Sequence, residues 1–476
     1  MSKPCETRLF IDGEYCASSS GQVTPLVNPA TEEIWCEVAA ADVSDVERAV
    51  LGAQRAFERV WRDMLPTQRA GILFTIARLI REHLEELAAL EVRNIGKPIS
   101  DARDEVELGA RTFEYYAGAI TKFCGQTIPV ARGGFDFTLR QPLGVVAAIV
   151  PWNFPFPITC WKVAPAIAAG NCVVVKPAPI SPLTAIRLAG LARDAGLPPG
   201  VLQVLGSAGG EIGEALVQHP LVRKISFTGS TKVGTRIMQL AANDLKRVSL
   251  ELGGKSPNII FADADIDQAA SSAPMSVFAN CGQDCCARSR IFVERKIYDE
   301  FLHKFIQATQ RVVVGDPTRG ETQVGPLVTA QRRDVVEGYL NEARNRTIAC
   351  GGDRPFDKGY FLRPAVVLGC ETTDRIWREE VFGPVACVRP FDDEESMLRE
   401  VNDSRYGLSG SLWTNDLKRA IRIAKRVESG VLSINCHSSL HIEAPFGGFK
   451  ESGIGRELGM MALEGYTEIK NVYVAL

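Results

Sequence analysis

Apolar residues recur along this chain with two periods, and the switch between them predicts its layers. Phe10-Ile-Asp-Gly-Glu-Tyr reads as a hairpin turning at Asp12-Gly13. Val46, Ala49, Val50, Ala53 and Phe57 then fall on one helical face, which Asp42 or Ser44 can cap. Leu73, Ile76, Ala77, Ile80, Leu84 and Leu87 share a second face, and Glu105 to Ala119 reads as a further, acid-rich helix. Phe123 to Gln141 has another texture, short-paced, Gly-containing and β-prone. Short apolar strands follow at Val145–Val150, Cys172–Val175, Leu202–Val204 and Ile225–Phe227, spaced by helical patterns at Leu183–Ala195 and Glu211–Gln218. Near-continuous apolar strands between helices predict a parallel, doubly wound sheet.

Val248–Gly254 closes that unit. A second α/β unit runs through Ile259–Phe261, a helix at Tyr298–Val312, and Ala365–Leu368, ending near Val431–Asn435. Tyr466–Val474 alternates like a strand. The expected fold class is α/β, with two doubly wound domains and a small β arm. The expected boundaries are 1–122 with 142–254, then 255–453, with 123–141 and 454–476 as arm and tail. No Gly-x-Gly-x-x-Gly follows the first strand, so the ordinary dinucleotide fingerprint is absent.

Length agrees with two or more cores, because 476 residues exceed what one core organises. The net charge of −3 leaves no electrostatic footprint for nucleic acid. No apolar run reaches the roughly 18 residues of a membrane span, and the first residues lack a signal-peptide core. Thirteen cysteines without framework spacing favour reduced thiols and a cytoplasmic location.

One of those cysteines changes the picture. Phe278 to Arg290 places Cys285 and Cys286 in a polar, Gly-containing segment just before the strand-like run Ile291-Phe-Val293. A thiolate is the strongest side-chain nucleophile near neutral pH, and a polar, half-open setting lets it act. Cys281 lies four residues earlier, but no second Cys-x-x-Cys and no His-x-x-x-His accompany it, so no metal is expected.

The segment Gly282-Gln283-x-Cys285-x-Ala287-x-Ser289-Arg290 resembles the active-site cysteine motif of the aldehyde dehydrogenase superfamily, and the resemblance extends from about Phe10 to the C-terminus. It implies Rossmann-like domains: a cofactor-binding one before residue 255, a catalytic one after it, and an oligomerisation arm. On that pattern Cys285 is the nucleophile and Cys286 a passive neighbour. Asn153, in Pro151-Trp-Asn-Phe-Pro155, is the oxyanion donor together with the backbone N–H of Cys285. Glu251, in Leu250-Glu-Leu-Gly-Gly254, is the general base. Its placement between apolar residues at a strand end also predicts a raised pKa.

The resemblance spreads the cofactor site over several strand ends. It takes in Ile149, Pro151 and Trp152, then Lys176 as the lysine reaching the adenosine ribose, with Pro179 and Gly209 nearby. Phe227, Gly229, Ser230 and Val233 open a helix where free N–H groups bind the pyrophosphate, next to Leu252. Glu380 and Phe382 match the residues that hold the nicotinamide ribose and ring. NAD is the implied cofactor. Pro179 replaces the glutamate that usually repels the extra phosphate of NADP, which leaves NADP open.

For the substrate, Phe154, Trp161, Leu440 and Phe446 would give a tunnel apolar walls. Asp284 precedes the nucleophile, and Glu105 and Glu107 lie on the helix that faces the tunnel mouth in amino-aldehyde members. These acids lean the expectation slightly toward a cationic aldehyde. Asp284 paired with Arg288 or Arg290 is the bland alternative. A CoA-acylating semialdehyde dehydrogenase needs no base at Glu251, and a non-catalytic structural protein on this fold needs none of the three residues. The expected partners are a small aldehyde and further copies of the chain, as dimer or tetramer.

Overall fold

The computed structural model describes residues 5–438 and 440–476. Five strands, Leu202–Val204, Cys172–Lys176, Val145–Ile149, Val222–Thr228 and Arg247–Glu251, run parallel in that spatial order. Val145–Ile149 and Cys172–Lys176 are buried at every position, as a sheet covered by helices on both faces requires. The hairpin of Leu9–Ile11 and Glu14–Cys16 adds antiparallel to Leu202–Val204, and Gly453–Ile454 adds antiparallel to Arg247–Glu251.

Strand order decides where a ligand fits. From Val145–Ile149 the chain winds outward through Cys172–Lys176 to Leu202–Val204. It then returns to lay Val222–Thr228 on the other side. The switch point therefore lies between the carboxyl ends of Val145–Ile149 and Val222–Thr228, where open sheets of this kind bind ligands.

The second sheet has seven strands in the order Thr347–Cys350, Ala365–Leu368, Val385–Phe391, Arg290–Glu294, Pro257–Ile260, Ser411–Trp413, Ser433–Ile434. Only Thr347–Cys350 is antiparallel to its neighbour. Each sheet has its own apolar core. The chain crosses back late, because Phe446, Leu458, Leu463 and Tyr466 pack into the first core. The final strand, Thr467–Val474, pairs antiparallel with Phe135–Pro142 along its whole length, and Thr127–Ile128 covers the other edge.

Two helical expectations shift. The face from Leu73 to Leu87 belongs to two helices, Pro66–Glu82 and Leu84–Ile95, broken at His83 (φ −109°, ψ 19°). The second helix packs on the strand Val23–Asn28, both helices pack on Leu183–Asp194, and Leu87 stays buried. The acid-rich helix starts at Ile99 rather than Glu105, directly after Pro98. Asp42, not Ser44, caps Val43–Ala56.

Candidate active site

The helix Pro155–Ala168 is preceded by Asn153, which leaves the carboxyl end of Val145–Ile149 at the switch point. The buried Asn153 side-chain amide donates to Gln283 O (3.0 Å), and the main-chain carbonyl of Asn153 accepts from Lys97 Nζ (3.0 Å) and Asn280 Nδ2 (2.8 Å). One amide hydrogen of Asn153 remains uncommitted. Gln283 Oε1 accepts from the Val328 N–H (2.9 Å), and Gln283 Nε2 donates to Asn280 O (3.0 Å). These bonds clamp the loop that carries Cys285 to the turn that carries Asn153.

The loop has an unusual backbone. Asn280 (φ 51°), Cys281 (φ 56°) and Gly282 (φ 67°) are all left-handed. A Cβ on Gly282 would lie 2.1 Å from Gly383 O, so only glycine fits. The chain then presents Cys285, partly open, and Cys286, buried. Asp284 Oδ1 accepts the Cys286 N–H (2.8 Å). Arg288 donates to Cys286 O (2.5 Å) and, through Nε, to Ser411 Oγ (3.1 Å). Arg290 turns away, donating to Lys255 O (3.0 Å) and Val401 O (2.9 Å). The expected alternative partner Arg290 is therefore committed elsewhere, while Arg288 acts on Asp284 through its charge.

Glu251 approaches from the first sheet. It ends the strand Arg247–Glu251 and is 4% exposed, and both carboxyl oxygens lack a hydrogen-bond partner. Burial, with Glu457 close by, holds its pKa well above the usual carboxylate range, as expected from its position between Leu250 and Leu252. The Cys285 thiol is raised as well, by the neighbouring Cys286 thiol first and by burial second. Gly254 brings the two walls together, since a Cβ there would lie 2.2 Å from Cys285 O.

Cys285 and Glu251 line one cavity of about 560 Å³. Phe154, Trp161, Leu440, Phe446 and Asp284, all expected in a tunnel, line it too. The Trp161 and Phe446 rings lie 5.7 Å apart. Glu105 reaches this cavity but is ion-paired with the buried Lys97. Glu107 does not; it pairs with Arg81 (2.8 Å) on the far side of its helix, because its position on the helix points away from Lys97.

The remaining predicted residues gather at the crevice of the first sheet. Ile149, Pro151 and Trp152 continue one strand, Lys176 and Pro179 the next, and Phe227, Gly229 and Ser230 a third. Gly209 follows Leu202–Val204. Ser230 Oγ accepts the Val233 N–H (3.4 Å) and so caps the helix Thr231–Ala241. A Cβ on Gly234 would strike the Leu252 side chain at 2.6 Å. From the second sheet, Phe382 meets Trp152 edge to face (5.4 Å), and Glu380 Oε1 accepts the Gly254 N–H (2.8 Å). Burial raises Glu380 to about 7 and lowers Lys176 to about 8. Thr228 Oγ1 and Ser207 Oγ are buried without partners. Unpaired hydroxyls, a buried ammonium and a helix start along one crevice suit the ribose and phosphate groups of a dinucleotide.

A model of the aldehyde dehydrogenase family matches residues 15–472. The chain belongs to the aldehyde dehydrogenase family. It is 42% identical to human retinal dehydrogenase 2 over 476 residues, 99% of this chain and 92% of the relative. P. syringae AldA, an indole-3-acetaldehyde dehydrogenase solved with NAD+ and IAA, superposes with a TM-score of 0.98 at 40% identity, covering 100% of this chain and 98% of that one. Staphylococcus aureus betaine aldehyde dehydrogenase, solved with NAD+, superposes at 0.96 with 37% identity over 99% and 95%. The mixed α/β fold with two parallel sheets is thus that of the family. Among the described residues, no helix is long and apolar enough to cross a membrane.

Several neighbours of the site escape a reading of the sequence. Glu457 is buried, ion-paired with Lys162, and accepts from Ser226 Oγ (3.1 Å). A lysine inside the apolar helix Pro155–Ala168 was the visible signal, because a buried ammonium needs a partner. His437 lines the cavity with Nδ1 3.0 Å from Ser411 Oγ, and burial beside Arg288 pushes its pKa down to about 3. Nothing in its local sequence marks it.

Proposed function

We propose that this chain oxidises an aldehyde to the carboxylic acid with NAD+, with NADP+ as an alternative cofactor. The observation that carries the reading is that Cys285, from a loop before the strand Arg290–Glu294, and Glu251, from the end of a strand of the first sheet, line one cavity, with Asn153 bonded to the Cys285 loop at Gln283 O. Cys285 adds to the aldehyde carbon, forming a thiohemiacetal. The free amide hydrogen of Asn153 and the Cys285 N–H hold the developing oxyanion. A nicotinamide cofactor, when bound, would supply the hydride acceptor. Glu251 takes a proton from water, which cleaves the resulting thioester and frees Cys285.

The first sheet and its helices would hold the cofactor, for which Lys176 and Glu380 would serve the two riboses and Phe382 the nicotinamide. The second sheet carries the nucleophile. Pro179 offers no carboxylate against a 2′-phosphate, which supports use of both cofactors. The sheet built from Phe135–Pro142 and Thr467–Val474 exposes Phe135, Leu139 and Ile469, which supports a role in joining copies of the chain. Light scattering near a single chain mass of 51.9 kDa would sink that part.

Apolar walls support a substrate with an uncharged, apolar body. Of the acids that favour an amino-aldehyde, Asp284 alone faces the cavity without an ion-paired lysine, because Lys97 pairs with Glu105 and Glu107 lies outside the cavity. The deciding assay is aldehyde-dependent reduction of NAD+ and NADP+, with and without CoA. It includes an ω-aminoaldehyde against an uncharged aldehyde of equal length. Free acid without CoA is expected, with the uncharged aldehyde preferred. A strict need for CoA would favour the acylating class, and no turnover with any aldehyde would overturn the reading.

A further inference from the structure

The thiol Sγ atoms of Cys285 and Cys286 and a carboxylate oxygen of Asp284 all lie within 4.8 Å of one another. All three residues line the same cavity. Zinc–thiolate bonds are about 2.3 Å and zinc–carboxylate bonds about 2.0–2.2 Å, so ligand atoms on one tetrahedral ion stand roughly 3.5–3.8 Å apart. The three atoms need close by at most about 1 Å to reach that spacing. The Cys286 N–H already fixes one oxygen of Asp284, which orients the carboxylate beside the thiols.

We infer that Asp284, Cys285 and Cys286 form an inhibitory site for one thiophilic divalent cation, with Zn2+ as the probe. The ion replaces the two thiol protons, which pass to buffer, and Asp284 binds as the carboxylate. No electron moves. Two thiolates, one carboxylate and a divalent ion leave one negative charge, and Arg288, buried against Cys286 O, balances it. The fourth position of a tetrahedron opens to the cavity, where water can complete it. Soft thiolates select Zn2+ or Cd2+ over Mg2+ or Ca2+. The consequence is that the ion and the aldehyde compete for Cys285.

The binding geometry stands apart from the proposed activity, which supplies only one of the two readouts. Zn2+ is titrated into the full-length protein against a chromophoric chelator, and Cd2+ binding is followed by its ultraviolet thiolate band. One ion per chain is expected that disappears in Cys286→Ala and in Cys285→Ala, while the other cysteines give the same background in all three proteins. Losing a ligand should exceed the roughly 10–100-fold effect of an outer-shell partner, so Cys286→Ala should resist Zn2+ inhibition by more than about 100-fold. Asp284→Asn should weaken binding at least about tenfold, and Cys286→Ser serves if the alanine variant folds poorly. EDTA should restore turnover, and aldehyde should protect. Equal stoichiometry and affinity in parent and Cys286→Ala would overturn the site. Zinc binding that vanishes with Cys286 in a protein without dehydrogenase activity would spare the site and overturn the functional reading instead.

Discussion

The two walls of the cavity are built on opposite terms. The wall that carries Cys285 is tied down: Asn280, Gln283, Asp284 and Arg288 spend their polar atoms on the backbone around the nucleophile. The wall that carries Glu251 leaves its one chemical group unbound, with both oxygens buried and partnerless. A nucleophile must meet its target in one geometry, so fixing it lowers the entropy cost of attack. A base with a raised pKa has to receive a proton and give it up again, and strong partners would lock it ionised. The contrast is one of held thiol against poised carboxyl.

Replacing the thiol tests the held wall most severely. Cys285→Ala should abolish both steady-state turnover and the first equivalent of NADH, while Cys286→Ala keeps most of its turnover. Equal losses from the two, measured by steady-state and rapid-mixing absorbance, would break the assignment of the nucleophile.

Glu251→Gln should lower steady-state turnover by about 10²–10⁴-fold, the usual worth of a general base. A burst of up to one NADH per site should survive, since the base is needed only after the thioester forms. An unchanged steady state would remove Glu251 from the wall's chemistry.

Gln283→Ala loosens the clamp without touching the reacting atoms. A displacement of about 1 Å at the thiol can cost on the order of 100-fold, so kcat should fall by up to that amount with a smaller change in KM. Undiminished kcat would mean that the hydrogen bonds of the Gln283 side chain to Asn280 and Val328 do not position Cys285.

The smallest effect is on pH dependence. Glu251 and Cys285 both have raised pKa values, so each reaches its working, deprotonated form only as pH rises. Turnover should therefore climb from neutral into alkaline pH. The burst of Glu251→Gln should keep only the thiol part of that rise. An acid limb at the ordinary carboxylate pKa would show that Glu251 is less buried in the working enzyme.

The first sheet was readable because its strands are buried on both faces, which forces unbroken apolar runs such as Val145–Ile149 and Cys172–Lys176. The break at His83 was not, because Leu84 continues the same helical period and both helices pack on Ile99–Ala119 and Leu183–Asp194. Among site residues, those tied to a local motif, such as Cys285 and Glu251, were visible. Glu107 looked equivalent to Glu105, yet Arg81 holds one and Lys97 the other.

The sequence by itself determined the α/β class, because period and burial are local properties, and its motifs marked the chemical groups at the strand ends through their resemblance to a family. Tertiary structure alone decided which of those groups meet. Glu251 owes its raised pKa to a cavity completed by Phe446 and Glu457 from the far end of the chain. The close approach of Gly254 to Cys285 joins segments of different sheets. Dielectric environment and distance are set by packing between remote segments, and no local pattern carries them.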